Sequence, residues 1–110
     1  MEQHVTVLPD VDDVRVITCI GEFDQDTLEP FRRAVAQATA DPAPRMIVLD
    51  ISQITFADSS MLNEMLRLRH TGRPLVLAGP LPQRLARLFE LTAADQVFTI
   101  TASLEHARAL

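Results

Sequence analysis

The sequence predicts an α/β sandwich: a mixed β-sheet that begins with an antiparallel hairpin and continues with parallel strands, with helices packed against it. Two short β-rich runs open the chain, at residues 4–8 and 14–20. Beyond them, apolar runs typical of buried strands alternate with segments whose apolar residues recur at helical spacing. The predicted order is ββαβαβαβα, and each strand–helix–strand step is expected to be a right-handed crossover to a parallel neighbour.

The first half of the chain supplies the hairpin, one helix and a central strand. The hairpin turns through an acidic loop at residues 9–13. A helix is predicted over residues 27–39, with Thr27 as its N-cap and Pro30 in its first turn, where a missing N–H costs little. Its core-facing residues are Leu28, Phe31, Val35 and Ala38. Residues 46–51 form a continuous apolar run, which is typical of a strand covered on both faces.

The second half continues the alternation of helix and strand. Its predicted elements are a helix over residues 60–69, a strand over 75–78, a helix over 82–91 and a strand over 97–101. Gly72 follows the first of these helices and suits a left-handed backbone conformation. Ser103 is expected to cap a short terminal helix that turns Leu104 and Ala107 toward the core.

The segment 50–62 is the most informative part of the chain. It is predicted to contain the end of a strand at Asp50, a short loop, and a helix that begins at the pair Ser59-Ser60. The first N–H groups of a helix lack intrahelical partners and carry partial positive charge, so a phosphate is favoured there. Either serine is therefore a candidate phosphoacceptor. A serine that only caps the helix is the simpler interpretation of the same residues.

A second loop, at residues 21–24, also follows a strand and precedes a helix. Functional loops gather at the carboxyl ends of parallel strands, so both loops are expected at one edge of the sheet. The carboxylates of this edge are Glu22, Asp24, Asp26 and Asp58, and neither loop contains arginine. A phosphoserine would add about −1.5 to −2 charge at pH 7. A partner docked on this edge would then meet added repulsion, which is a switch that requires no refolding.

Composition limits the classes of function. The 110 residues are expected to form one domain, residues 1–110, around a single core. The net charge of −5 argues against nucleic acid as a partner, because phosphate contacts need basic patches. No apolar run approaches the roughly 20 residues of a membrane span, and no signal peptide is recognised at the start. The lone Cys19 is predicted to be a small buried residue, which fits a reducing cytoplasm.

Enzymatic chemistry finds little support in the residues. The histidines at positions 4, 70 and 106 lie in different predicted elements without metal-ligand spacing. The chain lacks the G-x-S-x-G elbow of hydrolases, and its three glycines form no phosphate-cradling loop. Asp24 and Asp58 could face each other as paired carboxylates, although loop capping is the simpler role for them. The sequence therefore predicts no catalysis, no metal and no cofactor.

Three segments, in this order, resemble the STAS domain family, which includes anti-sigma factor antagonists and the cytoplasmic tails of sulfate transporters. The first is Gly21-Glu22-Phe23-Asp24 with Thr27. The second runs from Asp50 through Phe56 to Asp58-Ser59-Ser60-Met61-Leu62. The third is Arg87-Leu88-Phe89-Glu90-Leu91-Thr92-Ala93-Ala94. The chain departs from the family pattern at Met61 and Ala93, where the family has glycine.

The resemblance implies a STAS-like fold and the function of a stand-alone anti-sigma factor antagonist. In the family's scheme, such a protein binds an anti-sigma factor that is also a serine kinase of the ATP-binding histidine-kinase-like type. Binding releases a sigma factor, phosphorylation at the Ser59 position reverses it, and a serine phosphatase is a further implied partner. The implied partner-binding residues are Glu22, Asp24, Thr27, Asp58, Ser59, Ser60, Met61 and Leu62.

Two alternatives belong to other classes of function. The chain could be a STAS scaffold subunit of a lipid-transport or signalling assembly, or a regulatory module that binds a nucleotide at the edge with Asp24 and Ser59. The role of Met61 also stays open. If its side chain points outward, it is an adaptable contact for a partner. If it turns inward, it packs in the core.

Overall fold

The centre of the fold is a five-stranded sheet. The structure, a computed structural model, is described for residues 4–110. In sheet order the strands are β1 (His4–Val7), β2 (Val14–Phe23), β3 (Met46–Ala57), β4 (Leu75–Ala78) and β5 (Thr99–Thr101). β1 is antiparallel to β2, and each later pair is parallel. The predicted hairpin and the parallel strands that follow it are confirmed.

Within residues 4–110 the helices are α1 (Glu29–Ala40), α2 (Ser59–His70), α3 (Gln83–Thr92) and α4 (Leu104–Arg108). The first three connect consecutive parallel strands and pack on one face of the sheet, where Phe31, Met65 and Phe89 lie in the larger core. The short α4 covers part of the other face, where Ala107 packs in a smaller cluster with Val48. The order ββαβαβαβα is confirmed, with a 3-10 turn at Ala94–Gln96 added before β5.

The central strand β3 is covered on both faces over its apolar run, as predicted. Ile47 and Leu49 lie in the larger core, whereas Met46 and Val48 lie in the smaller cluster on the opposite face. Alternate residues of a strand point to opposite faces, so one continuous apolar run supplies two cores. The residues predicted to face inward on α1 are also buried; they are Leu28, Phe31, Val35 and Ala38.

Two strands are longer than predicted, and the sequence interpretation was wrong at this point. β2 continues to Phe23 and β3 to Ala57, beyond their predicted ends at residues 20 and 51. Their pairing carries on through two register shifts. In this extension of β3 the helices cover one face, so Ile54 is buried while Gln53 is exposed. The loop predicted before α2 is therefore reduced to Asp58.

The N-caps of α1 and α2 also differ from the predicted ones. α1 begins at Glu29 after Leu28, whose side chain makes no capping hydrogen bond, although Pro30 does lie in the first turn. Thr27 is outside the helix because its hydroxyl oxygen accepts a hydrogen bond from Asp24 N (3.0 Å) in the preceding turn. α2 is capped by Asp58 rather than by a serine.

Several local predictions are confirmed. Gly72 has a φ of +83°, in the left-handed region that favours glycine. The Ser103 hydroxyl accepts a hydrogen bond from His106 N and caps α4. Cys19 is fully buried, and burial raises the pKa of its thiol. Among the described helices, none is long and apolar enough to cross a membrane.

Candidate functional site

The β2–α1 and β3–α2 connections meet at the carboxyl edge of the sheet, as the sequence predicted. The parallel register places Phe23 beside Ala57 at the ends of their strands. Asp58 N then donates a hydrogen bond to Phe23 O (3.2 Å), which joins the start of one connection to the other. Neighbouring parallel strands end at one edge, so residues far apart in the chain are brought into one site.

The carboxylate of Asp58 links the two connections. Its Oδ1 accepts hydrogen bonds from Ser60 N (2.9 Å) and Met61 N (3.4 Å), which caps α2. Its Oδ2 accepts from Gln25 N (3.3 Å) in the β2–α1 connection. The negative charge of a capping carboxylate is also stabilised by the positive end of the helix dipole. Asp58 therefore fixes both the start of α2 and its distance from the neighbouring loop.

The β2–α1 connection is a compact turn held by Asp24 and Thr27. Asp24 Oδ1 accepts hydrogen bonds from Asp26 N (2.9 Å) and Thr27 N (3.1 Å). In return, the Thr27 hydroxyl oxygen accepts from Asp24 N (3.0 Å). These hydrogen bonds give Asp24 and Thr27 a structural role in the turn. They also present Gln25 N toward Asp58, and sequence reasoning missed Gln25 because its contribution comes from the backbone.

The two serines differ in accessibility. Ser59 is the first residue of α2 and is exposed, whereas Ser60 is half-buried. The next N–H groups of the helix, those of Ser60 and Met61, already bind Asp58. A group attached to the Ser59 hydroxyl would therefore meet occupied donors and a neighbouring carboxylate. Ser59 is the more exposed residue of the pair.

Met61 and Leu62 occupy a different environment from the serines. Met61 is fully buried and Leu62 nearly so, and both belong to the larger core. The inward orientation of Met61, one of the two options in the sequence interpretation, is the one that the structure adopts. Direct contact between these two side chains and a partner, which the resemblance implied, does not fit their burial.

The remaining surface of the site is acidic and includes one aromatic residue. Glu22 and Asp26 are exposed, while Asp24 and Asp58 are half-buried. Phe56 pairs in register with Glu22 and is 36% exposed, which is high for so large an apolar side chain. Sequence reasoning used Phe56 as a family marker and did not identify it as a surface residue. Among residues 4–110, no group of three or more His, Cys, Asp or Glu side chains could hold a metal ion.

Comparison with known protein families identifies the class to which this fold and site belong. A family model described as "Mlab, STAS domain" matches residues 8–102. The match spans most of the chain, so the protein belongs to the STAS domain family. The family expected from the three sequence segments is confirmed.

Solved structures with this fold include anti-sigma factor antagonists. One from Mycobacterium paratuberculosis is 23% identical, with a TM-score of 0.87 over 98% of this chain and 92% of that chain. The anti-sigma factor antagonist SpoIIAA in its unphosphorylated form is 18% identical, with a TM-score of 0.73 over 97% of this chain and 98% of that chain. The Bacillus cell fate determinant SpoIIAA in the phosphorylated form is also 18% identical, with a TM-score of 0.69 over 96% and 97%. At these identities the likeness shows a shared fold.

Proposed function

We propose that this STAS domain is an anti-sigma factor antagonist that a serine kinase inactivates at Ser59. Unphosphorylated, it binds an anti-sigma factor that is itself the kinase, and a sigma factor is released. Phosphorylated, it no longer binds, and a serine phosphatase restores the active form. In this proposal residues 1–110 act as one domain in the cytoplasm, as a binding partner and kinase substrate rather than as a catalyst.

The observation that carries the proposal is the exposed Ser59 at the start of α2, beside Asp58 and on an acidic edge. An exposed hydroxyl on a rigid helix terminus is accessible to a kinase. The solved relatives of the same fold include one antagonist with an unphosphorylated and a phosphorylated form. Phosphorylation as a switch at this edge is therefore consistent with the geometry and with the fold's known members.

Electrostatics provides the switching mechanism. The edge already carries Glu22, Asp24, Asp26 and Asp58, and a phosphate adds about −1.5 to −2 charge at pH 7. Asp58 occupies the helix N–H groups that would otherwise stabilise a phosphate. The added charge therefore stays on the surface, where a docked partner must pay for desolvation and repulsion.

Phosphopeptide mapping tests the modified residue. The protein is incubated with ATP and with an anti-sigma factor kinase from its source cell, and the phosphorylated peptide is sequenced by mass spectrometry. We expect phosphate on Ser59 and none on the Ser59→Ala variant. Phosphate confined to Ser60 or Thr55 would refute the assignment.

A binding titration tests the charge switch. Ser59→Asp should weaken binding to the kinase by about tenfold or more, because like charges at an interface cost several kcal/mol. Ser59→Ala should bind as the wild type does. Asn63→Asp places the same charge on the exposed face one turn further along α2 and serves as the matched control. Equal affinities of the wild type and Ser59→Asp in calorimetry would exclude the charge switch.

A scaffold subunit of a lipid-transport or signalling assembly is the second candidate function. The matching family model is described as "Mlab, STAS domain" and not as an anti-sigma factor antagonist. This description supports the scaffold as the second candidate. Affinity purification from the source cell with wild type and Ser59→Ala separates the two. A stable complex with membrane or transporter subunits, and no kinase, would favour the scaffold.

A further inference from the structure

We propose that a cleft at the amino ends of β4 and β5 binds the phosphate group of a small ligand. The cleft has a volume of about 300 Å³ and lies between the end of α2 and the starts of the two strands. It is at the edge of the sheet opposite Ser59. The inference is independent of the proposed function, because it uses different residues and requires no partner protein.

Two arginines line this cleft, and none of the described residues that line it is acidic. They are Arg69, in the last turn of α2, and Arg73, in the connection to β4. The protein as a whole carries a net charge of −5, so a cleft with two guanidinium groups and no carboxylate is a local reversal of sign. Such a reversal concentrates anions at one place on the surface.

The guanidinium of Arg73 is fixed by backbone carbonyls. Its Nη1 donates to Ala38 O and Thr39 O, both at 3.3 Å. Its Nη2 donates to Asp41 O at 2.7 Å and Pro44 O at 2.8 Å. Carbonyl oxygens satisfy the N–H groups but carry no full charge. The guanidinium of Arg73 is therefore held in place before any ligand binds, and it keeps its positive charge.

Arg69 is also held by a backbone carbonyl, through a single hydrogen bond. Its Nε donates to Val97 O at 3.1 Å, across the mouth of the cleft. The side chain is thereby oriented, and its two Nη groups are left for another acceptor. Some other arginines of the described chain pair with carboxylates, as Arg15 does with Asp10 at 2.8 Å and Arg32 with Glu64 at 3.1 Å. Arg69 and Arg73 are held by carbonyls instead and lie together in one cleft.

The geometry points to a phosphate group as the ligand chemistry. Arg69 can bind phosphate oxygens through paired, charge-assisted hydrogen bonds from its two Nη groups, and its prior orientation lowers the entropy lost on binding. Arg73 contributes its positive charge, because its Nη groups already donate to carbonyl oxygens. Thr99 adds a hydroxyl to the wall, and Gly72 leaves space, since a Cβ there would contact nothing within 4 Å. The volume suits inorganic phosphate or a small phosphate ester.

An NMR titration of the intact protein tests the site. Sodium phosphate, and separately glycerol 3-phosphate, is added to the isotope-labelled protein, with sodium chloride at matched ionic strength as the reference. We expect saturable shifts of the backbone amides of Gly72, Val97 and Thr99 with at least one of the two phosphates. Tighter binding of glycerol 3-phosphate would identify an ester as the ligand, and tighter binding of phosphate would identify the free ion.

Two arginines of one helix provide a matched pair of variants. Arg69→Gln should weaken phosphate binding by about tenfold or more, as expected for loss of a charge-assisted pair. Arg67→Gln removes the same charge two residues away, at a side chain that is 80% exposed and outside the cleft, and should leave binding unchanged. Equal weakening by both variants, or shifts that sodium chloride reproduces in the wild type, would overturn the proposal. The wild-type arm remains decisive if Arg69→Gln does not fold.

Discussion

Met61 stands where the family has glycine, and its side chain is fully buried in the larger core. Replacing it with glycine removes a packed side chain and also adds a flexible residue to the first turn of α2. We expect Met61→Gly to lower the free energy of unfolding by about 2–5 kcal/mol. Urea denaturation followed by circular dichroism measures this loss.

Arg67→Gly provides the control for this substitution. Arg67 lies on the same helix with a side chain that is 80% exposed and 3.9 Å from Glu64, so the substitution removes helix propensity and a surface ion pair, together about 1–2 kcal/mol. If the two glycine variants lose equal stability, Met61 does not have a core role. Because Met61 is buried, any effect of its substitution on binding to the proposed kinase partner should follow the loss of stability.

Ala93 is the second position at which the chain lacks the glycine of the family, and its backbone conformation is one that favours glycine. It follows α3 with a φ of +59°, a left-handed conformation that strains residues with a Cβ. We expect Ala93→Gly to raise the free energy of unfolding by about 1 kcal/mol. Ala86→Gly, in the interior of the same helix, should instead lower it by about 1 kcal/mol. Thermal melts of the two variants should therefore shift in opposite directions.

At the scale of the element, Asp58 connects the start of α2 to the β2–α1 turn. Asp58→Ala removes the cap bonds to Ser60 N and Met61 N and the bond to Gln25 N. We expect a loss of about 0.5–2 kcal/mol in the free energy of unfolding. Ser59→Ala should change it by less than about 0.5 kcal/mol, because Ser59 does not cap the helix. A larger loss for Ser59→Ala than for Asp58→Ala in urea titrations would contradict this assignment.

At the scale of the whole molecule, Arg15 links two connections at the edge of the sheet opposite Ser59. Its Nη2 donates to Asp10 Oδ2 (2.9 Å) and to Asp41 Oδ2 (2.8 Å), which links the β1–β2 connection to the α1–β3 connection. The hydrogen bond from Arg15 lowers the pKa of Asp10 below its usual 3.8. The pKa of Asp41 is also lowered, first by the bond from Ala43 N and then by Arg15.

The sign of the resulting pH dependence follows from these shifts. A carboxyl whose pKa is lower in the folded state stabilises the fold above its unfolded pKa, and this contribution is lost as the pH falls through the folded value. We expect Arg15→Gln to be less stable than the wild type at pH 7, and the difference to shrink below about pH 4. Urea denaturation at pH 7 and pH 3 measures it. A gap of the same size at both values would show that Arg15 acts through packing alone.

The sequence by itself determined the type and order of the elements and the place of the candidate site. Apolar runs at periods of two and of 3.6 are local properties, so strands and helices could be identified without knowing their neighbours. The carboxyl ends of parallel strands share one edge, so the residues around Glu22 and those around Ser59 could be placed together before the structure was known.

The tertiary structure decided what depends on contacts between distant residues. β2 and β3 extend beyond their predicted ends because they pair through register shifts. The polar Gln53 follows the apolar run of β3, so the sequence did not indicate this extension. Asp58 is the cap that also reaches Gln25 N, a residue 33 positions away. The inward turn of Met61 and the carbonyl-held guanidinium of Arg73 likewise depend on neighbours from other elements. Periodicity fixes the conformation of a segment, but register, orientation and hydrogen-bond partners are set by long-range packing.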